Sequence, residues 1–242
     1  SDWLSWTDEE MNNRKMALRE ELMAESESGK VTMVDWNNAW MKFTRSKDIY
    51  QTIHEIESTG NKAEYHPADV TDSSAIKAAV NGRMVTGIVH GAGLEESKLV
   101  ADKEWSKFDL IVRVKVDGWK ALVASTDENL RFACAFTSVA GRFGNGGQTD
   151  YAAANSILDA EMARLTASGK CRAVAIGWTG WRDVGMATRG SIEAVFEAAG
   201  IETLAVEDGV DIFVNEALAG GKRRVIACGS LGLMDKFDAF RE

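Results

Sequence analysis

The chain has 242 residues, 45% of them hydrophobic, which suits one α/β domain with ample material for a core. Its net charge of −9 argues against nucleic-acid binding, because a polyanion would be repelled overall. The sequence contains no run of about 18 apolar residues, so no segment is predicted to cross a membrane.

The cysteines and the first residues favour a cytoplasmic protein. Cys134, Cys171 and Cys228 are odd in number, each falls in a predicted strand, and no metal-ligand spacing links them. Residues 1–6 have neither the basic start nor the apolar core of a secretory signal. We therefore predict buried, reduced thiols and no bound metal.

Residues 1–60 are predicted to form a helical region. Thr7 begins a capping box, Thr-Asp-Glu-Glu, and apolar residues at helical spacing follow it. The tryptophan-rich residues 31–43 indicate a second, short helix. Ser46 is predicted to cap a third helix, which ends at Gly60. This region therefore precedes the predicted sheet as a helical insertion followed by a lead-in helix.

Four tryptophans in this region have two interpretations: Trp3, Trp6, Trp36 and Trp40. They could pack in a core or on the edge of the sheet, or they could form a docking surface for other domains. Aromatic side chains near helical spacing usually bury themselves, so packing is the favoured interpretation.

From residue 61 to residue 242, predicted strands alternate with predicted helices. The strands are Ala63–His66, Thr86–His90, Arg131–Ser138, Cys171–Gly177 and Arg224–Cys228. The helices are Ser73–Val80, Lys103–Ser125, Asp150–Ala167, Ile192–Ala199 and Asp208–Ala219. Such alternation predicts an α/β fold with a Rossmann-like, doubly wound parallel sheet covered by helices on both faces.

A serine and a tyrosine flank the glycine-rich run 141–147. Ser138 ends a predicted strand, Tyr151 follows thirteen residues later, and Asn155 lies one helical turn beyond the tyrosine. Open α/β sheets bind ligands at the carboxyl ends of their strands. The serine hydroxyl and the phenol are therefore expected to lie side by side at that edge.

These residue types suit the reduction of a ketone, which needs a hydride at carbon and a proton at oxygen. A phenol with a pKa near 10 is a poor proton donor at neutral pH unless its anion is stabilised. The ammonium of Lys115 could lower the pKa of Tyr151. Ser138 could hold the developing alkoxide at about 3 Å. Taken singly, Lys115 could equally be a solvated helix lysine, and Asn155 could satisfy a backbone group.

The order and spacing of these motifs resemble the ketoreductase domain of modular synthases, within the short-chain dehydrogenase/reductase superfamily. The matching segments are Gly87-Ile-Val-His-Gly-Ala-Gly93, Lys115-Val-Asp-Gly118, Phe136-Thr-Ser-Val-Ala-Gly141, Gly146-Gly-Gln148 and Tyr151-Ala-Ala-Ala-Asn155. Most members of the superfamily carry Tyr-x-x-x-Lys. Synthase ketoreductases resemble this chain instead, with asparagine after the tyrosine and the lysine on an earlier helix.

The resemblance extends from about Ile49 to Gly229. Residues 3–57 resemble the insertion of ketoreductases from polyunsaturated fatty acid synthases and related polyketide synthases. The resemblance implies NADPH-dependent reduction of a 3-oxoacyl thioester, tethered to an acyl carrier protein, to the 3-hydroxyacyl form. It also implies a catalytic set of Ser138, Tyr151, Lys115 and Asn155, with the asparagine linked to the lysine through water.

The cofactor contacts that the resemblance implies follow predicted strands: Asp69, Val70, His90, Gly91, Ala92, Gly93, Gly177 and Trp178. Asp69 would contact the adenine amino group, and Val70 would pack on the ring. Alternatively, Asp69 or Asp72 merely caps the next helix. The small residues after His90 would let the backbone approach the ribose, or they form a tight turn. His90 itself is predicted to be structural.

The substrate contacts that the resemblance implies are Phe143, Gly147, Trp181 and Met186. Residues 177–186 resemble a family segment that lines the nicotinamide and begins the substrate lid, although ordinary packing is the alternative. Phe143 stands where one stereochemical class has tryptophan. The Leu-Asp-Asp of the other class appears only as Leu94-Glu95-Glu96, one place out of register.

One part of a dinucleotide-binding fold is missing from the sequence. Such a fold opens with a strand, a glycine-rich turn and a helix whose N-terminus holds the pyrophosphate. No G-x-G-x-x-G lies between a predicted strand and a predicted helix, and residues 141–147 have the wrong glycine order. We therefore expect a sheet that is incomplete at its N-terminal edge, with the first βαβ unit in an upstream segment or on another chain.

Two alternatives to an active reductase remain. The missing glycine turn would suit a catalytically inactive, reductase-like domain that orders its neighbours in a megasynthase, whereas the Ser-Tyr-Lys-Asn set opposes that interpretation. An epimerase or dehydratase on the same fold is disfavoured by Tyr-x-x-x-Asn with the relocated lysine.

Overall fold

A computed structural model describes residues 2–26, 30–188, 192–220 and 224–232. The chain divides into two compact units, Ser1–Pro67 and Ala68–Glu242. None of the described helices is long and apolar enough to cross a lipid bilayer.

The first unit consists of helices. A 3₁₀ turn, Asp2–Ser5, precedes α1 (Asp8–Glu25), and α2 (Met33–Ser58) follows. Thr7 caps α1 in the predicted capping box, and a second capping box at Thr32 begins α2.

The prediction of two short helices after residue 31 is wrong, because α2 is continuous. The Ser46 hydroxyl donates to the Lys42 carbonyl oxygen 3.0 Å away, so it bonds to the turn behind it and caps nothing. No glycine or proline interrupts the sequence of α2, and nothing therefore ends the helix before Ser58.

Three of the four tryptophans of the first unit contact other aromatic rings, whereas the Trp36 Nε1–H donates to the Lys15 carbonyl. Trp3, Trp6 and Trp40 each lie 5.4–6.1 Å from the ring of Phe43, centroid to centroid. These rings are half-buried, and neither α1 nor α2 has a fully buried residue. Trp3, Trp6 and Trp40 therefore pack against a residue of the first unit itself.

The described part of the second unit contains a parallel sheet of four strands: β1 (Gly87–His90), β2 (Phe132–Ser138), β3 (Arg172–Trp178) and β4 (Arg224–Ala227). Their spatial order is β1-β2-β3-β4, and every pairing is parallel. The predicted α/β, Rossmann-like fold is confirmed. Among the described residues, β1 pairs on one side only, so it is an edge strand.

Among the residues that the structure describes, this unit has six helices: α3 (Ser73–Val80), α4 (Trp105–Ala124), α5 (Ala140–Phe143), α6 (Thr149–Ala167), α7 (Ile192–Ala199) and α8 (Val206–Leu218). Helices α4 and α6 pack against each other, and α6 also packs on β2 and β3. Two 3₁₀ turns, Val100–Asp102 and Gly185–Thr188, lie in the connections.

The strands bury different side chains on their two faces. Ala133 and Ala135 of β2 face the cluster that contains Trp119 of α4 and Leu158 of α6. Cys134 between them joins the other cluster, together with Phe213 of α8. Because successive side chains alternate between faces, small alanines on one face leave room for α4 and α6 to approach the sheet.

Three local predictions need correction. Residues 63–66 form no strand; they lie in a stretch without regular structure, where no described strand pairs with them. The glycine-rich run contains one short helix, α5, because the Val139 carbonyl accepts from the N–H groups of Arg142 and Phe143. Cys171 and Cys228 lie just outside β3 and β4 and are only half-buried, whereas Cys134 is fully buried; all three are free thiols.

Candidate active site

Ser138 is the last residue of β2, at the carboxyl edge of the sheet. It lies beside Trp178 in the register with β3, and the next N–H, that of Val139, donates to the Trp178 carbonyl at 3.1 Å. The Ser138 Oγ accepts from the Ala140 N–H at 3.2 Å. This bond uses an acceptor site of the hydroxyl and leaves its O–H free to donate to a ligand.

Tyr151 and Asn155 lie one turn apart near the start of α6. Asn155 is fully buried, and its Nδ2 donates to the Tyr151 carbonyl at 2.8 Å. Gly141 lies so close to α6 that a Cβ there would be 2.8 Å from the Cβ of Asn155. Glycine therefore lets the turn after Ser138 pack directly against the helix that carries Tyr151.

Lys115 extends from α4 to the same edge and is 3% exposed. Its Nζ donates to the Phe136 carbonyl at 2.9 Å and lies 5.9 Å from the centroid of the Tyr151 ring. Burial lowers the pKa of Lys115 to about 8, because the charged form loses solvation. The alternative interpretation of Lys115 as a solvated helix lysine is therefore wrong.

Asn155 Oδ1 is buried and has no hydrogen-bond partner among the described protein atoms. A buried acceptor of this kind is costly unless a donor reaches it. The atom lies on the residue whose amide nitrogen bonds to the Tyr151 backbone carbonyl, one helical turn along α6 from the tyrosine. The predicted link to Lys115 through water stays a prediction.

His90 and Val70 pack against α4 at Gly118. A Cβ on Gly118 would be 3.1 Å from Val70 Cγ2 and 3.4 Å from His90 Cε1. The His90 Nε2–H donates to the Lys115 carbonyl at 2.9 Å. Burial lowers the pKa of His90 to about 4, with the neighbouring Lys115 charge acting in the same direction, so the ring is neutral. These are the surroundings of a structural histidine.

Gly93 lies against the Lys115 side chain, and Met186 lies close to Gly93. A Cβ on Gly93 would be 3.0 Å from Lys115 Cε, 3.2 Å from its Nζ and 3.7 Å from Met186 Cε. Gly91 has open space in the position where its Cβ would be, and Ala92 is half-buried. The predicted substrate residue Met186 thus lies close to the predicted cofactor residue Gly93, which itself adjoins the ammonium group.

Asp69 and Asp72 have different partners. Asp72 caps α3, its Oδ1 accepting from the N–H groups of Ser74 and Ala75. Asp69 Oδ1 accepts from the N–H and hydroxyl of Thr71, each at 2.8 Å, and these bonds lower the pKa of the Asp69 carboxyl. Of the two candidate caps, the helix uses Asp72, and Asp69 remains exposed.

Gly177, Trp178 and Trp181 make close packing contacts. A Cβ on Gly177 would be 2.8 Å from Ile226 Cδ1, and Trp178 is buried in the cluster on the second face of the sheet. Trp181 packs on Gly209 of α8, with its ring 4.9 Å from that of Trp178, centroid to centroid. These contacts are what ordinary packing of residues 177–186, the alternative to a role in lining the nicotinamide, would produce.

The residues just before Tyr151 bond to the loop 95–98. Gly147, with φ +77°, accepts from the Lys98 N–H at 3.0 Å. Gln148 Nε2 donates to Glu95 Oε1 at 3.0 Å and to Ser97 Oγ at 3.2 Å. The segment resembling Leu-Asp-Asp therefore bonds to Gln148, the residue after the predicted substrate residue Gly147.

Phe143, another predicted substrate residue, lines a cavity of about 370 Å³. Its other lining residues are Gly144, Asn145, Gly146, Ala199, Ile201 and Leu231. The side chains that line it are mostly apolar, and one wall is the loop between Ser138 and Tyr151.

Sequence reasoning missed ionic contacts of two buried carboxylates, Asp150 and Asp159, near the site. Lys103 pairs with Asp150, the residue before Tyr151, at 2.9 Å. Asp159, on the same helix, accepts from the Thr137 hydroxyl at 3.0 Å and pairs with Arg224 at 3.1 Å; burial raises the pKa of its carboxyl. The only sequence signal was an acidic residue beside the tyrosine. Among the described residues, no cluster of three or more His, Cys, Asp or Glu side chains could hold a metal.

Several known proteins are similar to this chain. A component of the polyunsaturated fatty acid synthase from Thraustochytrium is 30% identical over 190 residues, which are 75% of this chain and 7% of that protein. The chain thus spans only a small part of this relative. PlmKR1, a ketoreductase from phoslactomycin biosynthesis in Streptomyces, superposes with a TM-score of 0.70 at 26% identity, covering 80% of this chain and 46% of that one.

A 3-oxoacyl-[acyl-carrier protein] reductase from Brucella melitensis, solved with bound NAD, has a TM-score of 0.65 at 18% identity. It covers 76% of this chain and 77% of that one, and at this identity the likeness concerns the fold alone. The family model of the KR domain matches residues 20–183, about two thirds of the chain and the whole segment from Lys115 to Asn155. The chain therefore belongs to the ketoreductase (KR) domain family of polyketide and fatty acid synthases, with a short-chain dehydrogenase/reductase type of fold.

Proposed function

We propose that this chain forms the catalytic part of an NADPH-dependent reductase. Its substrate is a 3-oxoacyl thioester carried by an acyl carrier protein, and its product is the 3-hydroxyacyl thioester. The observation that carries the proposal is the buried ammonium of Lys115, 5.9 Å from the ring centroid of Tyr151, at the sheet edge where β2 ends in Ser138.

Lys115 keeps Tyr151 able to donate a proton. With a pKa of about 8, the ammonium is largely protonated at neutral pH, and its charge favours the phenolate form of the nearby tyrosine. Tyr151 then donates its proton to the keto oxygen as that oxygen gains charge. The Ser138 O–H donates to the same oxygen, as a preorganised donor does in an oxyanion hole.

The residues around Lys115 suit a nicotinamide dinucleotide. Gly93 has no Cβ, and a Cβ there would be only 3.0 Å from Lys115 Cε, so its backbone can approach a ligand beside the ammonium. Gly91 and Ala92 extend this small-residue segment, and exposed Asp69 is available for an adenine amino group. When bound, the dinucleotide supplies the hydride that adds to the keto carbon.

The pyrophosphate-binding part of the site would come from an upstream βαβ segment. The described part of the chain contains no strand, glycine-rich turn and helix of that type. The outer edge of β1 is unpaired among the described residues, and Val89 on this strand is 52% exposed. An additional parallel strand at this edge would cover Val89 and complete the sheet.

The cavity beside Phe143 suits the acyl part of the substrate. Phe143, Ile201 and Leu231 give it apolar walls, and the loop that forms one wall joins Ser138 to Tyr151. An acyl chain there would lose contact with water while its keto group lay at the catalytic edge.

The test is NADPH oxidation by the chain joined to its upstream segment, with a 3-oxoacyl thioester or trans-1-decalone as substrate. Tyr151→Phe should lower kcat by on the order of 10²–10⁴-fold without lowering the melting temperature. Tyr65→Phe, at an exposed tyrosine, is the matched control and should leave kcat unchanged. A Tyr151→Phe protein as active as the unsubstituted protein contradicts the proposal.

Calorimetric titration tests the cofactor separately. The joined protein should bind NADPH more tightly than NADH, and the chain without its upstream segment should bind both weakly. If the joined protein bound neither, the alternative of an inactive, reductase-like scaffold would be favoured.

A further inference from the structure

A buried ion pair next to Tyr151 has no part in the proton transfer proposed above. Lys103 Nζ lies 2.9 Å from each carboxylate oxygen of Asp150, and the two side chains are 6% and 2% exposed. Taking two charges out of water is costly, so a buried ion pair is weak evidence for stability alone. Its position suggests a different role.

The pair joins the beginnings of two helices. Asp150 lies in the first turn of α6, and its Oδ1 also accepts from the Tyr151 N–H at 2.8 Å. Lys103 lies just before α4, the helix that carries Lys115. The ion pair therefore ties the start of the helix that carries the phenol to the start of the helix that carries the ammonium.

The loop 95–98 is held in the same arrangement. Lys103 Nζ donates to the Glu96 carbonyl at 2.8 Å, in addition to its bonds with Asp150. On the other side, Gln148 begins α6 without a side-chain capping bond, and its amide instead donates to Glu95 and Ser97. In the first turn of α6, the Asp150 carboxylate thus accepts from a backbone N–H group. The Gln148 side chain, which could have capped the helix, instead holds the loop 95–98.

We propose that Lys103 and Asp150 are positioning residues for the reduction. They hold the first turn of α6 against the loop 95–98 and the start of α4, so that Tyr151 keeps a constant separation from Lys115. The role assigned to Tyr151 rests on the proposed function, whereas the fixation of these segments does not. Because the pair is neutral overall, it orients the phenol without adding net charge beside it.

The first experiment measures amide hydrogen exchange in the full chain. The double variant Lys103→Met/Asp150→Asn removes both charges and leaves no lone buried ion. Its asparagine can still accept from the Tyr151 N–H, so the variant loses the ion pair and the hydrogen bond from Lys103 to the Glu96 carbonyl. We expect exchange in residues 94–104 and 145–155 to become about 10-fold faster, with β2 and β3 unchanged.

The control is Arg164→Met/Glu161→Gln, which removes an ion pair at 2.7 Å on the outer surface of the same helix. It should leave exchange in both segments unchanged. Unchanged exchange in the Lys103/Asp150 double variant, or equal acceleration in the control, overturns the proposal.

The second experiment measures kinetics in the chain joined to its upstream segment. A misplacement of about 1 Å in a catalytic group can cost on the order of 10²-fold, so kcat of the double variant should fall by that order. The Kd for NADPH should change less than about threefold, because the ion pair does not contact the proposed cofactor residues. Lys103→Arg, which keeps the charge, should retain more activity than Lys103→Met.

The outcomes separate the two proposals. Faster exchange with unchanged kcat would make the pair merely structural and overturn its positioning role. If the unsubstituted joined protein reduced no ketone, the proposed function would fail, and the exchange experiment would still decide whether the pair fixes the two segments.

Discussion

Lys103 and Lys115 are both buried, but their surroundings differ in one respect. Lys103 faces a carboxylate, whereas Lys115 donates to a backbone carbonyl and, among the described residues, forms no ion pair. Without such a partner, burial lowers the pKa of Lys115 to about 8. A buried charge with a full partner is thus suited to holding segments in place. A partly compensated charge beside a phenol is suited to proton chemistry.

The largest expected effect is the loss of turnover in Lys115→Met. Removing the ammonium removes the charge that would favour the phenolate of Tyr151, and kcat should fall by on the order of 10²–10⁴-fold. The free energy of unfolding at pH 7 should stay the same or rise, because the cost of burying a lone cation disappears. Steady-state kinetics and urea unfolding measure the two quantities.

Lys120→Met is the matched control, since Lys120 lies on the same helix with its side chain mostly exposed. It should alter neither kcat nor stability. A Lys115→Met protein that unfolds more easily while keeping its kcat would mean that this lysine is structural, and the contrast with Lys103 would disappear.

Lys103→Met should produce the opposite pattern in stability. The substitution leaves the Asp150 carboxylate buried without its cation, which typically costs about 3–5 kcal/mol. The double variant Lys103→Met/Asp150→Asn should recover most of this loss, because no lone charge remains. Urea unfolding of the two variants checks the prediction; equal destabilisation in both would show that the charges are not what matters.

The titration of His90, which bonds to the Lys115 carbonyl, should make the stability of the chain depend on pH. Its pKa is about 4 in the folded chain and about 6.5 when unfolded, so between these values the unfolded chain binds more protons. The stabilising contribution of neutral His90 is complete above pH 6.5 and is lost as the pH falls toward 4. The loss amounts to about 3 kcal/mol from a shift of this size.

His90→Gln keeps a donor for the Lys115 carbonyl and removes the titration. Its free energy of unfolding should therefore fall less steeply than that of the unsubstituted chain between pH 6.5 and pH 4. Parallel curves for the two proteins would contradict the assignment of a buried, neutral histidine.

The strands of the sheet could be predicted because the pattern that indicates each strand lies within a few consecutive residues. Strands β1 to β4 are short apolar runs that alternate with amphipathic helices, and this pattern survives in the fold. The two failures have different causes. Residues 63–66 have a strand-like composition but no described neighbour to pair with, and the Ser46 hydroxyl had a carbonyl four residues earlier as an alternative to capping.

In the candidate site, too, some residues could be predicted from the sequence and others could not. Ser138, Tyr151, Lys115 and Asn155 could be named from their order and from the chemistry of a ketone. Lys103 and Asp150 could not, because they are 47 residues apart and a sequence does not reveal which of its many charged side chains the fold will bury. The burial of Lys115, on which its lowered pKa depends, likewise required the packing of α4 against the sheet.

The smallest expected effect on stability comes from breaking the exposed ion pair on α6. Comparing it with the Lys103–Asp150 pair tests whether burial determines how much an ion pair matters. Arg164 and Glu161 approach to 2.7 Å, closer than Lys103 and Asp150, but the arginine side chain is 72% exposed. Water and salt screen such a pair, so Arg164→Met should leave the urea midpoint unchanged within experimental error at 0.15 M and at 1 M salt, where the Debye lengths are about 8 and 3 Å. If Arg164→Met instead destabilised the chain as much as Lys103→Met does, distance and not burial would govern these ion pairs, and the distinction between the two buried lysines would lose its physical basis.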